Sequence, residues 1–435
     1  PAQIARRHIT TKTRGAHPPL VPPARFPQDV PMTDFSFTIR HRDPHTRARR
    51  ATVSTPHGPF ETPAFMAVGT RASIKGVTPD QARACGCQII LGNTYHLLLR
   101  PGPETIRSLG GLQKFSAWNG PMLTDSGGYQ VFSLSDLRSF DAGGGGNQDG
   151  VTFRSHIDGQ IIRLTPEESM RVQHLLGADI IMAFDDCPPA DCPPDRLAES
   201  LDRTHRWAKR CQQAHEAFTA NPSLLYPNQP AAPTQDSELR TQDFAPQALF
   251  AIVQGGTNLD ARKHSAETLA ALDLPGYALG GLAVGEGHER MIDTIEHTAP
   301  LLPDNKPRYL MGVGYAKDIL ESVKRGIDMF DCVLPTRNGR NGLAFTYGGT
   351  MRLRNAKYSS DSRPLEEACD CYCCQNFSRG YLRHMFSVEE MLGPTLLSIH
   401  NLRFLQRWMT DIRNAIKENR LNALTAPPET LVEGG

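Results

Sequence analysis

Three aspartates stand where short apolar runs end. Pro121–Thr124 leads into Asp125 and a Ser126-Gly127-Gly128-Tyr129 turn. Ile180–Phe184 leads into Asp185, Asp186 and Cys187, and Met329–Val333 carries Asp331 within it. Two further runs, Leu249–Val253 and Tyr277–Leu279, end in Gln254-Gly255-Gly256 and Gly280-Gly281-Leu282. Two carboxylates suffice for glycosidic-type chemistry. One attacks the anomeric carbon and forms a covalent intermediate; the other protonates the leaving group and then deprotonates the incoming one. Asp331 and Asp125 can fill these roles. Asp185 and Gln254 offer the hydrogen-bonding groups that reading a purine edge requires, and the neighbouring glycines let a flat ligand approach backbone amides. A sugar hydrolase could use the same pair. Any one Asp before Ser-Gly-Gly is also a turn signal; three on one rim favour a site.

A second constellation is metal-like. Cys369-Asp370-Cys371-Tyr372-Cys373-Cys374 contains C-x-C-x-x-C, and His400 follows within the amphipathic stretch Met391–Met409. Three thiolates and one imidazole make a closed tetrahedral Zn²⁺ site, which is structural because no coordination position stays open. Cys373 is a surplus thiol that can replace Cys371 or Cys374, and His384 is a nearby alternative imidazole. Beyond Asp331, residues 334–342 read as a turn carrying Arg337 and Arg340, suited to phosphate or base contacts.

These residues need a scaffold. Residues 78–95 and 165–187 repeat one plan: a Thr-Pro helix start, a glycine stop, then a buried strand. Thr78, Pro79 and Gln81 form a capping box, and Thr165, Pro166 and Glu168 promise another. Looser copies place helices at Arg262–Leu272, Glu289–Thr298 and Lys317–Arg325 before the strands Tyr277–Leu279, Tyr309–Met311 and Met329–Val333. With the strands Gln88–Leu91, Pro121–Thr124 and Leu249–Val253 this alternation predicts parallel strands with crossover helices, hence an α/β irregular (β/α)8 TIM barrel with an attached zinc-binding subdomain. A doubly wound open sheet is the alternative, weakened because no GxGxxG follows a strand. Residues 1–33 read as a flexible basic tail, 34–345 as the barrel with a Pro/Gln-rich surface insertion at 219–247, 346–420 as the zinc region, and 421–435 as a second tail. Gly143–Gly146 with Asn147 and Gln148 reads as a flexible loop.

Composition narrows the function classes. The 435 residues carry a net charge of +1, which alone speaks against a basic nucleic-acid binder. The average conceals segments. Residues 1–50 hold ten Lys/Arg against three Asp/Glu, residues 51–333 hold 24 against 33, and residues 334–420 hold 13 against eight. An acidic middle flanked by basic ends can still hold a polyanion locally. No membrane span or signal peptide is apparent. Ten cysteines, four of them clustered, fit a reduced cytoplasmic protein with one metal site better than a disulfide scaffold.

Taken together, the motifs closely resemble those of the tRNA-guanine transglycosylases. They are Asp125-Ser126-Gly127-Gly128-Tyr129-Gln130, Phe184-Asp185-Asp186-Cys187, Val253-Gln254-Gly255-Gly256, residues 280–286 (GGLAVGE), residues 309–314 (YLMGVG) and residues 330–337 (FDCVLPTR). The resemblance runs from about Phe35 to Glu418. It implies a homodimeric enzyme that exchanges a guanine at the tRNA wobble position, in the bacterial form for preQ1 (7-aminomethyl-7-deazaguanine), on the way to queuosine. Asp331 would be the nucleophile and Asp125 the general acid/base. Ser126, Gly127, Gly128, Asp185, Cys187, Gln254, Gly281 and Leu282 would line the base site, with Tyr129 and Met311 sandwiching the base. The anticodon loop would meet Gly312, Val313, Gly314, Tyr315, Ala316, Lys317 and Asp318, together with Thr336, Arg337, Asn338, Gly339 and Arg340. Cys369, Cys371, Cys374 and His400 would hold Zn²⁺. Val284 and Cys187 resemble the bacterial form. Tyr315 departs from it, where Lys is usual.

Overall fold

A computed structural model describes residues 34–430, apart from 135–137, 143–147, 190–191 and 228–244. The basic tail, the Gly143–Gly146 loop and most of the Pro/Gln-rich insertion therefore lie outside the described residues. Eight parallel strands close into a barrel in chain order: β4 (Ala64–Gly69), β5 (Ile90–Gly92), β6 (Met122–Thr124), β10 (Ile180–Met182), β11 (Ala248–Val253), β12 (Gly276–Leu279), β13 (Arg308–Leu310) and β14 (Met329–Cys332). The last strand pairs with the first, Met329 opposite Ala64. The barrel predicted from the helix–glycine–strand repeats is thus the observed architecture. Each strand is a short, almost continuously apolar run because both of its faces are covered, by barrel interior and by outer helices.

The repeats fold largely as read. Thr78 accepts from the Gln81 amide and Gln81 Oε1 accepts from the Thr78 amide, a complete capping box. Thr165 caps its helix in the same way, but Glu168 does not reach back: its carboxylate takes both arms of Arg171, at 2.8 and 2.7 Å. The expected helix Arg262–Leu272 starts earlier, at Leu259, because Asn258 caps it through the Ala261 amide.

Five parts of the fold differ from the sequence reading. The first barrel strand, β4, was not anticipated, because no helix precedes it. Before it, β1 (Ser36–Arg42), β2 (Arg49–Thr55) and β3 (Gly58–Thr62) form an antiparallel sheet. Val53 and Phe60 of that sheet pack with Met66, Phe250 and Met329 inside the barrel's amino-terminal mouth. Between β6 and β10 the chain makes a second antiparallel sheet: β7 (Arg138–Ala142), β8 (Gln148–Arg154) and β9 (Ile161–Leu164). A 27-residue helix, Pro194–Ala220, follows β10.

The fifth difference bears on the site. Residues 334–340 are a helix, not a turn. Pro335 fits its first turn, where no amide hydrogen is needed. Gly339 is there for contact: a Cβ would sit 2.8 Å from the Ser398 amide nitrogen. Its partner is the helix Leu392–Lys417, which occupies the place of the barrel's eighth outer helix. Gln406 donates to Phe65 O of β4 at 3.0 Å, Trp408 to Ala316 O at 3.1 Å and Arg413 to Pro63 O at 2.8 Å. The hairpin β15 (Leu343–Thr346) and β16 (Gly349–Arg352) is tied to the same helix through Asn401, which accepts from the Phe345 amide at 2.9 Å. No helix among the described residues is long and apolar enough to cross a membrane.

Candidate active site and metal centre

The carboxyl ends of β6, β10, β11, β12, β13 and β14 bring the predicted residues to one rim. Asp125 directly follows β6 and is buried. Its Oδ1 accepts from the Thr94 amide at 2.8 Å and its Oδ2 from the Asn93 side-chain amide. Burial raises its pKa, the Thr94 amide opposes this, and the charges of Asp331 and Asp185 add to the rise; the result is about 7. Asp185 is also buried. Its Oδ1 accepts from the Ser126 hydroxyl at 3.0 Å and its Oδ2 from the Gln254 amide at 2.7 Å. Burial pushes it up to about 6, against the pull of those two donors.

Asp331 is held differently. The Tyr309 hydroxyl donates to Oδ1 at 2.6 Å and the Gly312 amide donates to the same oxygen at 2.9 Å. Oδ2 therefore has no donor among the described residues. Burial raises the Asp331 pKa while these two hydrogen bonds restrain it. Tyr309 is buried beside this carboxylate, so its own proton is held far above the usual phenol range and it stays a donor.

The glycines of the rim make room for these contacts. A Cβ on Gly128 would lie 2.7 Å from Asp185 O. Gly281 has φ +65, and a Cβ there would lie 2.4 Å from Gln254 Oε1. That Oε1 is buried with no partner among the described residues. Gly127 packs against Tyr95, Leu282 is buried, Cys187 and Met311 are half-buried, and Tyr129 is exposed. Burial raises the Cys187 thiol to about 12, so it is no thiolate nucleophile at neutral pH.

Asp186, next to Asp185, is held in ion pairs. Arg196 grips it with two bonds at 2.8 and 2.9 Å, and Arg203 adds a third. Ser200 donates to its carbonyl at 2.7 Å. The helix Pro194–Ala220 thus clamps the segment that carries Asp185.

The expected RNA segments divide by exposure. Gly312, Tyr315, Lys317 and Arg337 are exposed. Val313, Gly314, Ala316, Thr336 and Gly339 are buried in packing. Asp318 is occupied by His288 at 2.5 Å. Asn338 and Arg340 are half-buried, and one terminal nitrogen of Arg340 has no partner among the described residues.

Cys369, Cys371, Cys374 and His400 are all buried, and their ligand atoms lie within 4.8 Å of one another. Cys373 is buried but stands outside the group, and none of the ten cysteines is in a disulfide. His400 Nε2 lies 2.7 Å from Phe345 O, which directs Nδ1 to the sulfurs at 3.7, 3.6 and 3.3 Å. Tetrahedral bonds of about 2.3 Å to sulfur and about 2.0 Å to nitrogen require about 3.6 Å between such atoms. The residues present therefore fit Zn²⁺. Asp370, between two of the thiols, is locked by Arg403 at 2.6 and 2.7 Å.

Sequence reasoning missed Asn93, Thr94, Tyr309 and Arg262. Asn93 was the most findable, since it directly follows a buried strand on the same rim.

Asp185 gives a stability test. Its folded pKa is raised above the unfolded value of 3.8, so the native state holds its proton longer. Its effect on stability is nil below the unfolded value, grows unfavourable as pH rises toward 6, and is constant above. Asp185→Asn keeps the shape, and the Ser126 hydroxyl can accept instead of donate. Urea unfolding should show the variant more stable than wild type by about 3 kcal/mol at pH 8, with no difference near pH 4. A variant less stable at pH 8 would contradict the assigned shift.

Comparison with known proteins agrees with the motifs. A family model described as queuine tRNA-ribosyltransferase matches residues 43–427. A queuine tRNA-ribosyltransferase of Halothermothrix orenii is 50% identical over 387 residues, 89% of this chain and 95% of that protein. Its namesake in Desulforamulus reducens is 48% identical over 383 residues, 88% and 95% of the two chains. That of Synechococcus elongatus is 50% identical over 389 residues, 89% and 93%. With the barrel, the rim carboxylates and matches of this extent, the chain belongs to the queuine tRNA-ribosyltransferase family, the tRNA-guanine transglycosylases.

Proposed function

We propose that this enzyme replaces the wobble guanine of tRNAs with G-U-N anticodons by preQ1, through a covalent intermediate on Asp331. The observation that carries this reading is the unequal pair of rim carboxylates. Asp331 has both donors on one oxygen and the other oxygen open. Asp125 has both oxygens bound and a pKa near neutrality.

The wobble nucleotide leaves its stack to enter the pocket. Asp331 Oδ2 attacks C1′ as the C1′–N9 bond breaks, and the bonding pair departs with guanine. Asp125 supplies the proton that the departing base takes. Incoming preQ1 gives its N9 proton back to Asp125 and attacks C1′, and the Asp331–ribose bond breaks. Asp185, Gln254, Ser126 and the Gly281-Leu282 backbone hold the base edge, with Cys187 at its margin. Tyr129 and Met311 cover its faces. Gly312, Tyr315 and Lys317, with Arg337, Asn338 and Arg340, meet the anticodon loop. Val284, which is exposed, limits the 7-substituent to one of preQ1 size. Cys369, Cys371, Cys374 and His400 hold a structural Zn²⁺, which supplies fold stability and takes no part in the exchange. Two copies pair in the cytoplasm; Tyr372, Val388 and Met391 offer exposed apolar surface for pairing.

The two half-reactions should separate by pH. Departure of guanine needs protonated Asp125, so adduct formation falls as pH rises through about 7. Attack by the new base needs ionised Asp125, and the esterified Asp331 no longer adds its charge, so adduct resolution falls only as pH drops through a lower value. Single-turnover gels read both steps, and parallel slopes would count against Asp125. The function itself is tested by labelled guanine or preQ1 with a G-U-N tRNA. Wild-type protein should incorporate both, and failure with either base overturns the proposal.

A further inference from the structure

One buried charge has no part in the chemistry above. Arg262 lies in the first turn of the helix Leu259–Ala270 and is fully buried. Its hydrogen bonds all go to main-chain carbonyls. Nε donates to Gly256 O, Nη1 to Val253 O and Nη2 to Gly280 O, each at 2.8 Å. Gly281 O lies at 3.5 Å from the same Nη2. Burial holds its pKa down to about 10, so it remains cationic at neutral pH.

Those carbonyls belong to two neighbouring strand ends. Val253 and Gly256 flank Gln254 after β11; Gly280 opens the turn after β12 that carries Gly281 and Leu282. The Gly280 amide also donates to Val253 O at 3.0 Å. The Gln254 side chain lies against the 280–281 backbone so closely that neither glycine could carry a Cβ. One planar guanidinium therefore sets the spacing between the Gln254 amide and the Gly281-Leu282 backbone. Lysine could not replace it, since a single ammonium cannot span three carbonyls in one plane.

We propose that Arg262 is a positioning residue for base recognition: by fixing these two strand ends against each other it sets the affinity for the free base. This rests on the transglycosylase reading. The full-length zinc-bound enzyme is compared with Arg262→Met and Arg262→Lys, measuring KM for guanine, KM for tRNA and kcat at saturating guanine. Misplacing the two strand ends should raise the guanine KM about tenfold or more. The tRNA KM should rise less, because the anticodon-loop contacts outside the pocket also hold the tRNA, and kcat should stay within about threefold of wild type. Methylguanidinium at low millimolar concentration should lower the guanine KM of Arg262→Ala back toward wild type. A residue that only stabilised the fold would reduce the active fraction, and so kcat, without moving either KM.

A folded variant with guanine KM within twofold of wild type overturns the proposal. So does a loss confined to kcat, or an equal rise in both KM values. If Arg262→Met does not fold, the lysine variant decides by the same criteria. Wild-type enzyme that incorporates no guanine would instead count against the transglycosylase reading.

Discussion

Asp331→Ala is expected to abolish base exchange, with kcat falling on the order of 10⁴-fold or more. The reason is geometric. Among the described residues Asp331 Oδ2 has no donor, while the oxygens of Asp125 and Asp185 are all engaged. The substitution leaves the Tyr309 hydroxyl and Gly312 amide without their acceptor, but at a partly open mouth where water can replace it. Folding should survive, so loss of activity can be read as loss of the nucleophile. Wild-type enzyme with guanine-bearing tRNA should give a covalent RNA adduct on a denaturing gel, and the variant none. A variant that retains exchange within tenfold of wild type would remove Asp331 from the mechanism.

Cys369→Ser is expected to lose the metal and destabilise the protein by several kcal/mol, because a closed metal site contributes its binding free energy to folding. The effect should spread beyond the cysteines. His400 lies on the helix Leu392–Lys417, whose other contacts reach Phe65 O, Ala316 O and Pro63 O on the barrel. The reacting carboxylates are untouched, so residual folded variant should still form the Asp331 adduct. Elemental analysis should drop from one zinc per chain to near zero, and the thermal midpoint should fall. Full metal content with unchanged stability would refute the assignment.

Much of the barrel was legible because of how parallel strands are buried. A run such as Ile180-Ile181-Met182, with Gly177 before it and carboxylates after it, declares both its burial and its polarity. The rim residues followed from their position at strand ends. The helix Pro194–Ala220 was not legible for a related reason. Its buried face includes Ser200, Arg203 and Thr204, which serve Asp186, and these polar residues dilute the apolar period. The segment after Asp331 misled because Pro335 and Gly339 are turn residues by habit. Here one starts a helix and the other admits the Ser398 backbone. Tyr309 acts through Asp331 on the neighbouring strand, and Arg262 reaches Gly280 O across to the next strand end; pairing of the barrel strands brings these partners near, and no local pattern encodes such distances.

The helix Leu392–Lys417 also sets an order of events. Barrel closure pairs Met329 with Ala64, and Gln406 then covers Phe65 on that same first strand. During synthesis β4 can pair with β5 early, but it lacks its β14 neighbour and its outer helix until residues 329–417 are made. The amino-terminal half must therefore wait with an apolar edge open, at the elongation rate of about 5–20 residues per second. Contacts of such long sequence separation make folding slow, and the interval before the carboxyl-terminal helix arrives is when chaperones would find the nascent barrel.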